Sequence, residues 1–139
     1  MNLNSPIMPN IISKLKNLWK ADGQEELATP KEGKAAFRLM YEDLEIGLLT
    51  LSEGIWRFAY SEDFKAQSRL KPLVDFPDVN KTYRYEELPP FFVQRIPGLG
   101  QPKVQKIILE EKIDAHNEVE LLKRFGKLSI SNPFQLLSV

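Results

Sequence analysis

Apolar and polar positions alternate through residues 36–60. Phe37, Leu39 and Tyr41 are spaced by Arg38 and Met40, and Leu44, Ile46 and Leu48 repeat the spacing. Trp56, Phe58 and Tyr60 then alternate with Arg57 and Ala59. Glu42-Asp43 and Ser52-Glu53-Gly54 break the runs. A period of two with short polar interruptions predicts three antiparallel strands, each burying one face. Such a meander persists in water only if something covers that face.

Flanking patterns predict what surrounds it. Upstream, Ile11, Ile12, Leu15, Leu18 and Trp19 share one helical face opposite Lys14, Lys16 and Lys20. Asn10 is the N-cap and Asp22-Gly23 the stop, so residues 10–21 read as an amphipathic helix. Residues 23–34 read as a linker. Downstream, Ser61 caps a short helix over 61–71, with Glu62 and Asp63 favourable in its first turn. Residues 73–76 look strand-like between Pro72 and Pro77, and a short strand or turn is expected near Tyr83-Arg84-Tyr85. Helices are then expected in three places. One runs over 86–96, with Phe91, Phe92 and Ile96 inward. The second starts at Pro102, with Val104, Ile107 and Ile108 inward. The third is capped by Asp114 or Asn117, buries Val119, Leu122 and Phe125, and closes at Gly126. Strands before helices give an α+β class. The expected architecture is an antiparallel meander packed against about three C-terminal helices, with an N-terminal amphipathic helix. Residues 1–34 form an extension and residues 35–139 the domain.

Composition narrows the function. Nineteen basic residues balance nineteen acidic ones, which disfavours nucleic acid or an anionic membrane as the principal partner. The chain has no cysteine, so disulfides and thiolate chemistry are excluded and a cytoplasmic location is expected. No apolar run reaches a membrane-spanning length. His116 is the only histidine, too few for a transition-metal site. The acidic pairs read as solvated charge, and Pro97-Gly98-Leu99-Gly100 matches no phosphate-binding loop. Neither catalytic set nor cofactor site is expected. The residues point to a binding or regulatory module.

Several motifs in order extend this. They are Glu45-Ile46-Gly47-Leu48-Leu49, Trp56-Arg57-Phe58-Ala59-Tyr60, Pro89-Pro90-Phe91-Phe92, Arg95-Ile96-Pro97-Gly98, Glu120-Leu121-Leu122-Lys123-Arg124-Phe125-Gly126 and Ser131-Asn132-Pro133-Phe134. Together they resemble the N-terminal subdomain of HipA-type serine/threonine kinase toxins of bacterial toxin–antitoxin systems. The chain departs from that family at Phe64, where a tryptophan is common, at residues 74–77 and at residues 96–99. In that family the nucleotide- and metal-binding groups lie in later subdomains, and this chain stops at Val139, so kinase activity is not expected. The resemblance implies a HipS-like antitoxin that binds and restrains a HipA/HipT-like kinase, with a HipB-like helix-turn-helix protein as a further partner. Phe64, Lys65 and Arg69 are the expected partner-binding residues, and covering of the meander is the alternative role for Phe64. The competing functions are an activating or structural half of a split kinase, or a membrane- or DNA-associated adaptor using residues 10–21.

Overall fold

Two tight turns build the meander. In the computed structural model, which describes residues 27–139, β1 (Lys34–Tyr41), β2 (Leu44–Ser52) and β3 (Ile55–Tyr60) are joined at Glu42-Asp43 and at Glu53-Gly54. Glu53 and Gly54 both take positive φ, 54° and 74°, the conformation whose twist suits a two-residue hairpin. The helix expected over residues 10–21 lies outside the described residues.

The chain leaves β3 into α1 (Glu62–Lys65) and an irregular excursion. It returns as β4 (Tyr83–Tyr85), passes through α2 (Pro90–Val93), α3 (Pro102–Glu110) and α4 (Glu118–Phe125), and ends in β5 (Gln135–Ser138). The sheet is ordered β4-β3-β2-β1-β5 and every pairing is antiparallel. The expected class is borne out: an α+β fold with the helices following the meander.

Register sorts the side chains into two faces, because directly opposed residues share a side. Phe37, Leu49 and Phe58 form one cross-strand row and Leu51 with Trp56 another, and all five are buried. Phe92, Val93, Ile96, Val104, Ile108, Leu121 and Leu122 complete the core from the helices and their connections. Phe76 sits at its centre, with ring centroids 4.7 Å from Phe58, 5.1 Å from Tyr83 and 6.0 Å from Phe92. The register shift between Leu39 and Met40 leaves Ile46 as an extra residue, a bulge in β2, which bends that strand where α1 docks.

Several local expectations change. The helix expected over 61–71 contracts to Glu62–Lys65. Residues 73–76 form a turn instead of a strand: Phe76 N–H donates to the Leu73 carbonyl at 3.0 Å, so the segment folds on itself between its prolines. The helix expected over 86–96 contracts to Pro90–Val93, started by Pro89 as N-cap. The tail adds an edge strand to β1, although its sequence showed only a turn and an apolar end. Within the expected linker, Leu27 and Thr29 are buried against the body and Ala28 is bridged to Asn117, while residues 31–34 are exposed. Gly126 does cap α4, but with an ordinary φ of −86°. Its glycine is needed for space, since a Cβ would lie 2.4 Å from the Leu122 carbonyl oxygen.

Gly47 is under the same constraint within the sheet. A Cβ there would meet the Ala59 carbonyl oxygen at 2.6 Å and the Phe58 ring at 2.7 Å. Gly47→Ala is therefore expected to cost about 2 kcal/mol, as overpacked cores do, read as a lower urea midpoint with an unchanged slope.

Candidate functional site: a braced excursion after the third strand

The excursion over residues 61–76 begins where β3 ends at Tyr60. Ser61 anchors it three times. Its N–H donates to the Ile46 carbonyl at 2.9 Å, its hydroxyl donates to the Glu45 carbonyl, and its Oγ accepts from Phe64 N–H at 2.9 Å. The first two bonds use carbonyls freed around the bulge in β2, and the third is an N-cap. Tyr60 closes the other end. Its hydroxyl donates to the Phe76 carbonyl at 2.5 Å and accepts from Leu73 N–H at 2.8 Å. Gln67 braces the middle, donating to the Phe64 and Leu70 carbonyls and accepting from Leu70 N–H. A loop so pinned presents its side chains in one arrangement.

Of the three residues expected to meet a partner, the structure brings two to the surface. Lys65 is exposed and lies 2.9 Å from Glu62. Arg69 is exposed and has no carboxylate partner among the described residues. Phe64 is only 3% exposed and stacks on Tyr60 at 4.7 Å with 24° between the planes. Its ring covers the end of the meander and fixes the direction of α1, so it is not displayed as a free anchor. Val74, at the far turn, is 92% exposed although the two ends of that turn, Leu73 and Phe76, are held by Tyr60. The strand-like reading of 73–76 concealed that tip.

Two buried charges lie away from this surface. Glu118 is fully buried at the first position of α4. Its carboxylate accepts from the Thr29 hydroxyl, from Trp56 Nε1–H at 3.1 Å and from Leu88 N–H at 3.2 Å. Arg95 is 3% exposed. It donates to the carbonyls of Gly126, Lys127 and Phe134 and to Asn132 Oδ1 at 2.9–3.2 Å. Burial pushes its guanidinium down to about 10, so the group remains charged at neutral pH. Each is enclosed by backbone and core rather than opening onto a cleft, which makes both structural. The sequence held a signal for each. Glu118 shares the 118, 121, 122 helical face with Leu121 and Leu122, and Arg95 interrupts an apolar run between Val93 and Ile96.

Little else suggests small-molecule chemistry. A cleft of about 420 Å³ opens between Lys34, Ala36, Thr50 and Val139 at the end of the sheet, with one titratable side chain on its wall. His116 borders a smaller hollow of about 150 Å³ beside Thr29 and Asn117. Among the described residues no cluster of three metal-ligating side chains exists, and no helix is long and apolar enough to cross a membrane.

A family model described as the HipA N-terminal domain matches residues 37–130, which take in the meander from Phe37 onward, the excursion and all four helices. The matched unit is not the kinase catalytic domain. No curated protein and no solved structure matches the chain.

The bracing generates a pH signature. Burial pushes the Tyr60 phenol up to about 12, against the opposing hydrogen bond from Leu73. The folded state thus favours the protonated phenol, and its contribution is complete below the ordinary value of 10 and is lost as pH rises from 10 towards 12. Urea unfolding at pH 9 and 11.5 is expected to show this loss, and Tyr60→Phe to reduce the difference. Tyr60→Phe also forfeits two hydrogen bonds and is expected to cost about 2 kcal/mol at pH 7. Arg95→Lys keeps a positive charge but cannot span four acceptors. A loss of about 2 kcal/mol, with faster proteolysis within residues 127–134, is the expected result.

Proposed function

The chain belongs to the HipA N-terminal domain family, and from that premise we propose that it is a non-catalytic partner of a HipA/HipT-like serine/threonine kinase. In this reading it acts as a HipS-like antitoxin that holds the kinase in a restrained state, and a HipB-like helix-turn-helix protein joins the same complex. The observation that carries the reading is the braced excursion. Ser61, Tyr60 and Gln67 spend their hydrogen bonds on fixing a surface loop that contributes little core beyond Phe64 and Phe76. A loop fixed in advance loses less conformational freedom on docking, which is where preorganised interfaces gain affinity. Lys65 and Arg69 supply positive charge at its surface and Val74 an apolar tip. Partner-binding then falls to Lys65 and Arg69, and Phe64 acts from beneath by setting the pose of α1.

A second reading, the activating half of a split kinase, uses the same surface and differs in sign. Co-expression with a HipA-type kinase, scored for co-purification, growth arrest and autophosphorylation, separates the two. Restraint predicts a stable complex with relieved toxicity, whereas a completing half raises kinase activity. Lys65→Glu combined with Arg69→Glu is expected to weaken the complex roughly tenfold or more with an unchanged thermal melt. Full affinity in that variant removes the excursion from the interface. Phe64→Ala is a poorer test, because deleting a buried ring costs about 3–5 kcal/mol of stability by itself.

A further inference from the structure

The helices and the aromatic core occupy one face of the sheet, and the opposite face is bare of packing elements among the described residues. Alternation and register define it in two adjacent rows. One runs Ala59, Leu48, Arg38, Leu137 and the next Arg84, Arg57, Thr50, Ala36. The first row is mostly apolar, and Leu48 at its centre is 38% exposed. Its single charge, Arg38, is already matched by Glu45 at 3.4 Å. The second row places Arg57 directly opposite Arg84, and neither makes an ion pair among the described residues. Like charges set opposite each other across strands destabilise a sheet, and here the chain as a whole has no net charge to account for them.

We propose that this open face docks an amphipathic helix of a partner protein, one whose apolar stripe carries carboxylates along one edge. The apolar stripe lies on the Ala59–Leu48–Leu137 row and the carboxylates meet Arg57 and Arg84 one row away. Three other occupants fit less well. A second copy of the chain would set arginine pairs against each other. The chain's own residues 10–21 carry Lys14, Lys16 and Lys20 beside their apolar positions, the wrong sign for this face. Nucleic acid bound on a sheet uses aromatic platforms, and the aromatic residues of these strands fall in the rows of the inner face. The surface is separate from the excursion over residues 61–76 and stands or falls independently of the proposed function.

The test is an NMR titration of the isotopically labelled full chain with a synthetic leucine–glutamate amphipathic helix, beside a leucine–lysine counterpart. The acidic peptide is expected to shift the amides of Leu48, Arg57, Ala59 and Arg84. Arg57→Gln combined with Arg84→Gln, which keeps long polar side chains and a native melt, is expected to weaken it about tenfold. The proposal is overturned by absent shifts at millimolar peptide, by equal binding of the basic peptide, or by shifts confined to residues 61–76. Shifts on this face that arise from dilution of the protein alone, or from a single-stranded oligonucleotide in preference to the acidic peptide, overturn it too. Should a HipA-type kinase fail to bind while the acidic peptide shifts this face, the proposed function fails and the docking surface remains.

Discussion

One short helix holds opposite buried charges at its two ends. α4 begins with the Glu118 carboxylate and ends beside the Arg95 guanidinium. Among the described residues neither is neutralised by an opposite charge; each is solvated by dipoles. Aligned peptide groups leave partial positive charge at a helix N-terminus and partial negative charge at its C-terminus, so the acid sits at the favourable end and the arginine meets carbonyls at the other. Burying such groups is tolerable when nearly all of their hydrogen bonds are made, and among the buried side-chain polar atoms of the described residues only Arg95 Nε is left without a partner. The partners that make them come from everywhere: Thr29 from the strap before β1, Trp56 from β3, Leu88 from the approach to α2, and Gly126, Asn132 and Phe134 from the tail. Sheet, strap, helices and tail are therefore held in one relation by two ions.

That relation leaves the sheet two-faced. The buried side is dense with rings, and the other carries arginines, short apolar side chains and threonine. The bulge at Ile46 links the sheet to the excursion, since it turns the Glu45 and Ile46 carbonyls towards Ser61. A backbone irregularity in the second strand thus sets the surface that follows the third. Two surfaces of different chemistry result, one a rigid loop with a basic and apolar tip, the other a broad basic face.

Much of this was legible in the sequence, and the boundary follows physical range. The meander, the Ser61 cap, the Asn117 cap as one of two candidates beside Asp114, and β4 as a short strand or turn came from alternation and local hydrogen-bonding chemistry, which neighbours in sequence determine. The role of covering the meander, one of two weighed for Phe64, is the position the ring occupies. The missed features depend on distant partners. Residues 73–76 have strand-like composition, yet the Tyr60 hydroxyl takes the Leu73 N–H and the Phe76 carbonyl. Gln135 to Ser138 carries no strong strand pattern and pairs because β1 has a free edge. Glu118 looks like any acid in a helix's first turn until Trp56 and Thr29 are brought over it. The buried stripe of α4 accordingly shifts to Leu121 and Leu122, with Val119 and Phe125 only half-buried.

The late position of β5 affects how the protein is made. Its partner β1 lies roughly a hundred residues earlier in the chain, and contacts that distant close slowly because the intervening chain must first be ordered. During synthesis the meander can pair as soon as it emerges, but the outer edge of β1 stays uncovered until residues 135–138 follow. Through that interval the nascent domain exposes a strand edge, the feature from which unintended sheet pairing grows.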